Sequence, residues 1–191
     1  MNIHSVHLSK VNGPGLRYVI WTQGCSKGCV GCFNPLTWSF ENNKILTPFQ
    51  IFEDIKNFED IDGVTISGGD PLEQEDILDL LMLLWSLDLR KGIILYTGYS
   101  LDEINKNSYL RKCLSYIDVL IDEKFEEDKK TYIGPAGSMN QNVLYFSSKI
   151  SEEEMKMDQG IEILLDGNNV SVTGFPHLDR KVLKNFGVIL K

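Results

Sequence analysis

Nowhere in the 191 residues does an apolar run approach the roughly 18 that a membrane-spanning helix needs; even Ile77 to Leu87 is interrupted by Asp79 and Ser86. A membrane protein is therefore not expected. Positive charge is in the minority, with 19 Lys and Arg against 27 Asp and Glu and a net charge of −8. There is no basic stripe with interleaved aromatics, so nucleic acid is not an expected partner. The acidic runs Glu126-Glu-Asp128 and Ser151-Glu-Glu-Glu154 read as solvated faces or helix starts. Cysteine is scarce too: four residues, with no signal peptide ahead of them, argue against a disulfide framework and predict a reducing, cytoplasmic setting. The three histidines, His4, His7 and His177, are distant from the cysteines and lack paired zinc-finger spacing, which argues against structural zinc.

What is present is concentrated in one loop. Three of the four cysteines fall in Gly24-Cys-Ser-Lys-Gly-Cys-Val-Gly-Cys-Phe-Asn-Pro35. That C-x3-C-x2-C spacing leaves an iron–sulfur cluster one thiolate short of its usual protein ligands, so a small molecule is expected at the remaining iron. The fourth, Cys113, shares an i, i+3, i+4, i+7 stripe with Leu110, Leu114 and Ile117 and reads as a core residue on a buried helix face. A 42 % hydrophobic composition is enough for a substantial core, and the length predicts one domain over residues 1–191, with its core at about 10–146 and a C-terminal extension at about 147–191.

The elements expected along the chain alternate. Arg17-Tyr-Val-Ile-Trp-Thr22 is a strand running directly into the cysteine loop, and Thr47 to Gln50 forms a capping box opening a helix with Ile51, Ile55 and Phe58 on one face. Gly63 to Ser67 is a strand ending in the turn Gly68-Gly69-Asp70-Pro71, followed by a helix with acidic residues at its start. Gly92 to Tyr96 is a strand, Thr97-Gly98-Tyr99 a turn, and Ser100 to Glu103 a second capping box. Asp118 to Asp122 and Asn142 to Phe146 are further strands; Ile161 to Leu165 and Val170 to Thr173 form a hairpin, and a short helix spans Leu178 to Phe186. Strand–helix repetition predicts an α/β fold, an incomplete, open β/α barrel of about five parallel strands with a C-terminal β-hairpin and short helix, too short for the roughly 250 residues of a closed barrel. The cysteine loop, Gly68-Gly69, Thr97-Gly98 and Asp122 then share one rim at the strands' carboxyl ends.

On these residues the sequence resembles the radical S-adenosylmethionine superfamily, and within it the activating proteins of anaerobic (class III) ribonucleoside-triphosphate reductase. The resemblance lies in Asn12-Gly-Pro-Gly-Leu-Arg17, in Cys25 to Trp38, in Ser67-Gly-Gly-Asp-Pro-Leu72, in Leu95 to Tyr99, in Asp118 to Asp122 and in Asn140-Gln141. It implies an enzyme, a glycyl-radical activase, in which Cys25, Cys29 and Cys32 hold one [4Fe–4S] cluster with S-adenosyl-L-methionine as cosubstrate. It further implies reductive cleavage to a 5′-deoxyadenosyl radical, a glycyl-radical protein as partner (the anaerobic ribonucleotide reductase) and a low-potential donor such as flavodoxin. The residues it assigns to the cosubstrate are Gly31, Phe33, Gly68, Gly69, Asp70, Thr97, Asp122 and Lys124. Gly68 and Gly69 are expected to lack Cβ atoms so that the backbone can approach the methionine moiety, so Gly69→Val is expected to spare the cluster and impair cosubstrate binding.

Two departures concern the partner. The family's usual arginine-bearing Arg-Gly-Ser-Ser-Asn-Gln segment is here Pro135-Ala-Gly-Ser-Met-Asn-Gln141, and about 40 residues follow the resembling region. Asp122-Glu-Lys124 lies between the Asp-Gly-Pro of the reductase activators and the Asp-x-Lys of pyruvate formate-lyase activating enzyme. A stand-alone radical enzyme acting on a small molecule or peptide, and an iron–sulfur electron carrier or redox sensor, remain as alternatives. Trp38 and Phe40 are expected to be core aromatics.

Overall fold

A computed structural model describes residues 1–156, 160–166 and 169–174. Its main sheet has seven strands: β1 (Asn2–Ser9), β2 (Arg17–Thr22), β3 (Lys44–Ile45), β4 (Gly63–Gly68), β5 (Ile93–Tyr96), β6 (Val119–Ile121) and β7 (Val143–Tyr145), in the order β3-β1-β2-β4-β5-β6-β7. β2, β4, β5 and β6 run parallel, while β1, β3 and β7 are antiparallel to their neighbours. The expectation of about five parallel strands is therefore corrected to four. β6 ends at the rim, no helix carries the chain back to the opposite end, and the strand over 142–146 can only return antiparallel. The sheet is open, and the fold is a mixed α/β architecture with a mostly parallel sheet.

The helices α1 (Pro48–Lys56), α2 (Ile77–Trp85), α3 (Leu101–Lys106) and α4 (Ser108–Cys113) arise from local signals. Thr47 and Ser100 both close full capping boxes, with Gln50 and Glu103. Their apolar stripes, including Ile51, Ile55, Leu80, Leu81, Leu84, Ile104 and Cys113, pack on Ile20, Ile66, Leu95 and Leu120 of the sheet. Cys113 is 1 % exposed, as a core residue should be. The opposite sheet face, with Ile94, Val119 and Ile121, is covered by Ile150 and by Met155 of α5 (Glu152–Met155), whose acidic first turn is capped by Ser151. The hairpin appears as β8 (Ile161–Asp166) and β9 (Asn169–Gly174). It is tied to the amino-terminal segment by Glu162, which accepts from the Lys10 amide at 2.9 Å, and by Thr173, whose hydroxyl accepts from Asn12 at 2.8 Å. The helix expected over 178–186 lies outside the described residues. Phe40 departs from its expected burial: it is 59 % exposed, its ring lying against the bare backbone of Gly24.

At the amino end of the parallel strands, Arg17 is completely buried. Its guanidinium donates to the Thr65 hydroxyl at 2.6 Å and to the carbonyls of Pro14, Lys91, Val64 and Gly92 at 2.6–3.2 Å, drawing β2, β4 and the entry to β5 together. Burial lowers its pKa to about 9 against the opposing influence of Tyr96, Asp118 and Asp62. Arg17→Met strips five acceptors of their donor in a dry interior. The expected loss is roughly 3 kcal/mol, read as a fall in the urea midpoint. An unchanged midpoint would mean that those carbonyls find other donors.

Candidate metal centre

The cysteine loop begins where β2 stops. Gly24 donates to the Thr37 carbonyl at 2.8 Å and Cys25 to that of Trp38 at 3.1 Å, so the two ends of the loop are stitched together before the first thiol. Gln23 secures the base from below through the carbonyls of Leu36 and Ser39. Within it Cys25, Cys29 and Cys32 are each half-buried and free of disulfides.

The Asn34 amide donates to the Cys32 sulfur at 3.4 Å, and the backbone N–H groups of Lys27 and Gly28 favour the Cys25 thiolate, as that of Phe125 favours the Cys29 thiolate. Burial pushes the Cys25 thiol up to about 11, with the negative charges of Asp70 and Glu73 adding to it. Burial also raises Cys29, against the Phe125 amide and the nearby Lys124 ammonium. Burial thus favours the protonated form of Cys25 and Cys29 where no cation is near, and a bound iron would turn a coordinating thiol into a thiolate. Among the described residues no three His, Cys, Asp or Glu side chains converge on a single ion. A cubane makes no such demand, because each thiolate binds a different iron. The donor set therefore suits an iron–sulfur cluster.

The other rim motifs adjoin this loop. Gly68 pairs in register with Thr22, the Gly69 amide donates to the Thr22 carbonyl, and the Asp70 amide donates to the Gly24 carbonyl, both at 2.8 Å. Asp70 is 1 % exposed; its carboxylate accepts from the Leu72 amide, the Thr97 hydroxyl and the Gly98 amide at 2.8–3.0 Å. Burial nevertheless lifts its pKa to about 6, in opposition to those three donors. Thr97 thus joins the end of β5 to the turn after β4. Asp122 is also buried, accepting from the Leu101 amide that opens α3 and from the Asn142 amide and side chain, at 2.8–3.2 Å. Gly31 has φ +73, and its open side faces the Glu127 carboxylate. Phe33 packs on Phe125 at 4.9 Å between ring centroids, with the Lys130 ammonium 5.1 Å from its ring. The rim expected from the sequence is thus assembled, with Asp70 and Thr97 on the Cys25 side and Lys124 on the Cys29 side.

Several neighbours carried no recognisable signal. Glu73 accepts from the Ser26 amide at 2.8 Å and also binds its hydroxyl, holding the cysteine loop to the turn after β4. Lys27 lays its ammonium 3.2 Å from the centre of the Tyr99 ring, bridging to the end of β5. Phe125, from a distant part of the chain, packs its ring on Phe33, the residue after Cys32.

An open α/β sheet that presents three disulfide-free thiols in one loop at its carboxyl rim has the donor set of an iron–sulfur protein. Comparison with known proteins agrees: residues 11–144 match the family described as 4Fe-4S single cluster domain. Among curated proteins, the anaerobic ribonucleoside-triphosphate reductase-activating protein of Pasteurella multocida is 36 % identical over 148 residues, 72 % of this chain and 92 % of that one. Those of Enterobacteria phage T4 and Escherichia coli K12 are 36 % and 34 % identical, over 70 % and 68 % of this chain and 86 % and 88 % of theirs. The chain belongs to the family of anaerobic ribonucleoside-triphosphate reductase-activating proteins. The β8–β9 hairpin lies beyond the residues matched by the family model.

Proposed function

We propose that this chain is a radical S-adenosylmethionine activase that installs a glycyl radical on an anaerobic ribonucleotide reductase; its relatives are named anaerobic ribonucleoside-triphosphate reductase-activating proteins. The observation that carries this reading is the set of three disulfide-free thiols sharing a rim with the Gly68-Gly69-Asp70 turn, whose Asp70 amide is bonded to the Gly24 carbonyl of the cysteine loop. Cys25, Cys29 and Cys32 hold the cluster. When bound, a [4Fe–4S] cluster supplies the electron for reductive cleavage of S-adenosylmethionine to a 5′-deoxyadenosyl radical, which takes hydrogen from a backbone glycine of the partner.

The chain's own residues do the rest by placement. Gly68, Gly69 and Asp70 shape the edge that receives the methionine moiety, where Asp70 offers negative charge to the ammonium and Thr97 fixes its carboxylate. Gly31, Phe33, Asp122 and Lys124 complete the surround of the cosubstrate. The open sheet forms one wall of an incomplete barrel whose free flank admits the partner's glycine loop. Flavodoxin is the proposed class of electron donor, and the cytoplasm the proposed compartment. No helix among the described residues is long and apolar enough to cross a membrane.

The test is 5′-deoxyadenosine formation by anaerobically iron- and sulfide-reconstituted protein given dithionite and S-adenosylmethionine, followed by addition of the reductase. Nucleoside formation, and an electron paramagnetic resonance doublet on the reductase after mixing, are the expected results. A loaded cluster with no nucleoside, even when the reductase is present, would redirect the reading to an electron carrier.

A further inference from the structure

Between Cys25 and Cys29 the chain carries Ser26 and Lys27, and their side chains are used differently. Glu73 binds Ser26 through its amide, at 2.8 Å, and through its hydroxyl, which fixes the backbone immediately ahead of Lys27. The Lys27 side chain then crosses from the cysteine loop to the segment that follows β5. A Cβ on Gly98 would stand 2.8 Å from Lys27 Cγ and 3.4 Å from its Cδ, so the lysine stem runs over the bare glycine. Beyond it the ammonium rests 3.2 Å from the centre of the Tyr99 ring.

The same glycine faces Asp70. The place a Gly98 Cβ would take is 3.5 Å from Asp70 Oδ2, the oxygen that accepts from the Gly98 amide at 2.9 Å. A lysine stem and a buried carboxylate therefore meet over one residue of the rim. Their two charges are not spent on each other. No carboxylate among the described residues forms an ion pair with the Lys27 ammonium, and Asp70 accepts from neutral groups, the Leu72 and Gly98 amides and the Thr97 hydroxyl. The Tyr99 ring holds the cation in place without neutralising it.

A cation held beside an anion suits a ligand that carries one charge of each sign close together, and the amino-acid head group of S-adenosylmethionine is such a ligand. We propose that Lys27 is a specificity-determining residue for the cosubstrate, its ammonium pairing with the carboxylate of the methionine moiety while Asp70 faces the amino group. The proposal rests on the radical S-adenosylmethionine reading given above. An ammonium is a compact point charge on a flexible stem, so it reaches from the ring face to a carboxylate without moving the loop backbone that Glu73 holds. The cysteines of this loop then hold the metal, and the lysine between two of them selects the ligand.

The experiment is equilibrium dialysis of S-adenosylmethionine, and of its decarboxylated analogue, against the full chain reconstituted anaerobically with iron and sulfide, with iron content and thermal unfolding measured alongside. Lys27→Met keeps an apolar stem over Gly98 and removes the charge, whereas Lys27→Arg keeps the charge. Lys27→Gln carries the comparison if the methionine variant does not fold. The expected result is an affinity for S-adenosylmethionine about tenfold weaker in Lys27→Met, the loss of one hydrogen bond between charged groups, and largely restored in Lys27→Arg. Iron content and affinity for the decarboxylated analogue stay at the parent level. Unchanged affinity for S-adenosylmethionine, or equal losses for both ligands as for a residue that only shapes the loop, would overturn the role of Lys27 while leaving the cluster reading intact. A parent protein that takes up no cluster, or takes it up and binds no S-adenosylmethionine, overturns both.

Discussion

Cys32→Ala is expected to abolish 5′-deoxyadenosine formation and the cluster's visible absorption, yet to leave the unfolding midpoint close to that of the parent. The thiol is half-buried in a loop, and one hydrogen bond it receives comes from the Asn34 amide at 3.4 Å, a contact whose loss costs about 1 kcal/mol or less. None of the core strands leans on it: the residues that pack the sheet against its helices, such as Ile20, Ile66 and Leu95, lie below the rim. Loss of one thiolate from a set that already has only three leaves too few ligands to retain iron. Cys113→Ala supplies the contrast. That sulfur is 1 % exposed and packs in the helix–sheet core, so its removal is expected to cost roughly 1–2 kcal/mol while leaving iron content and nucleoside formation unchanged. Retention of activity by Cys32→Ala would dismiss the three-cysteine site; loss of activity in Cys113→Ala would mean that the fourth cysteine also serves the cluster.

The same division between local and distant causes explains what could be read from the sequence. The helices α1 and α3 were legible because their capping boxes lie within four residues, and the cysteine loop because its spacing is a property of consecutive residues. β1 was not legible. Its apolar residues Ile3, Val6 and Leu8 fall out of a two-residue period because the pairing with β2 shifts between Ile3 and Ser5, so the strand does not alternate as a strand should. Phe58 follows the helical spacing of α1 but lies past its end, where its ring packs on Tyr18 at 5.7 Å. The direction of β7 depends on where the preceding loop stays, which is a tertiary fact. In the site, the rim and its cysteines were legible, whereas the hold of Glu73 on Ser26 and of Lys27 on Tyr99 was not, because each joins segments that are far apart along the chain.

Gly69→Val is expected to lose both stability and the cluster, which reverses the expectation drawn from the sequence. On the sequence alone the missing Cβ reads as room for the methionine moiety. In the structure that room belongs to the protein: a Cβ on Gly69 would stand 2.7 Å from the Gly24 carbonyl carbon, closer still to its oxygen, and 2.9 Å from the Thr37 carbonyl oxygen. These are backbone atoms at the two stitched ends of the cysteine loop, and they cannot turn aside as a flexible side chain can. Asp70, the next residue, donates its amide to that same Gly24 carbonyl, so pushing Gly24 away also breaks the link between the turn and the loop. The expected cost is roughly 1–3 kcal/mol of stability, the usual range for forcing extra atoms into a packed interior, with iron content falling in parallel. Gly28→Ala is the matched control, because a Cβ there meets nothing within 4 Å and only the strain of its φ +58 remains. If Gly69→Val keeps its full iron content and loses only S-adenosylmethionine binding, measured by equilibrium dialysis, the turn serves the cosubstrate directly. If iron is lost with stability while Gly28→Ala retains it, the glycine is there to let the turn after β4 lock the cysteine loop, and cosubstrate binding depends on it through that lock.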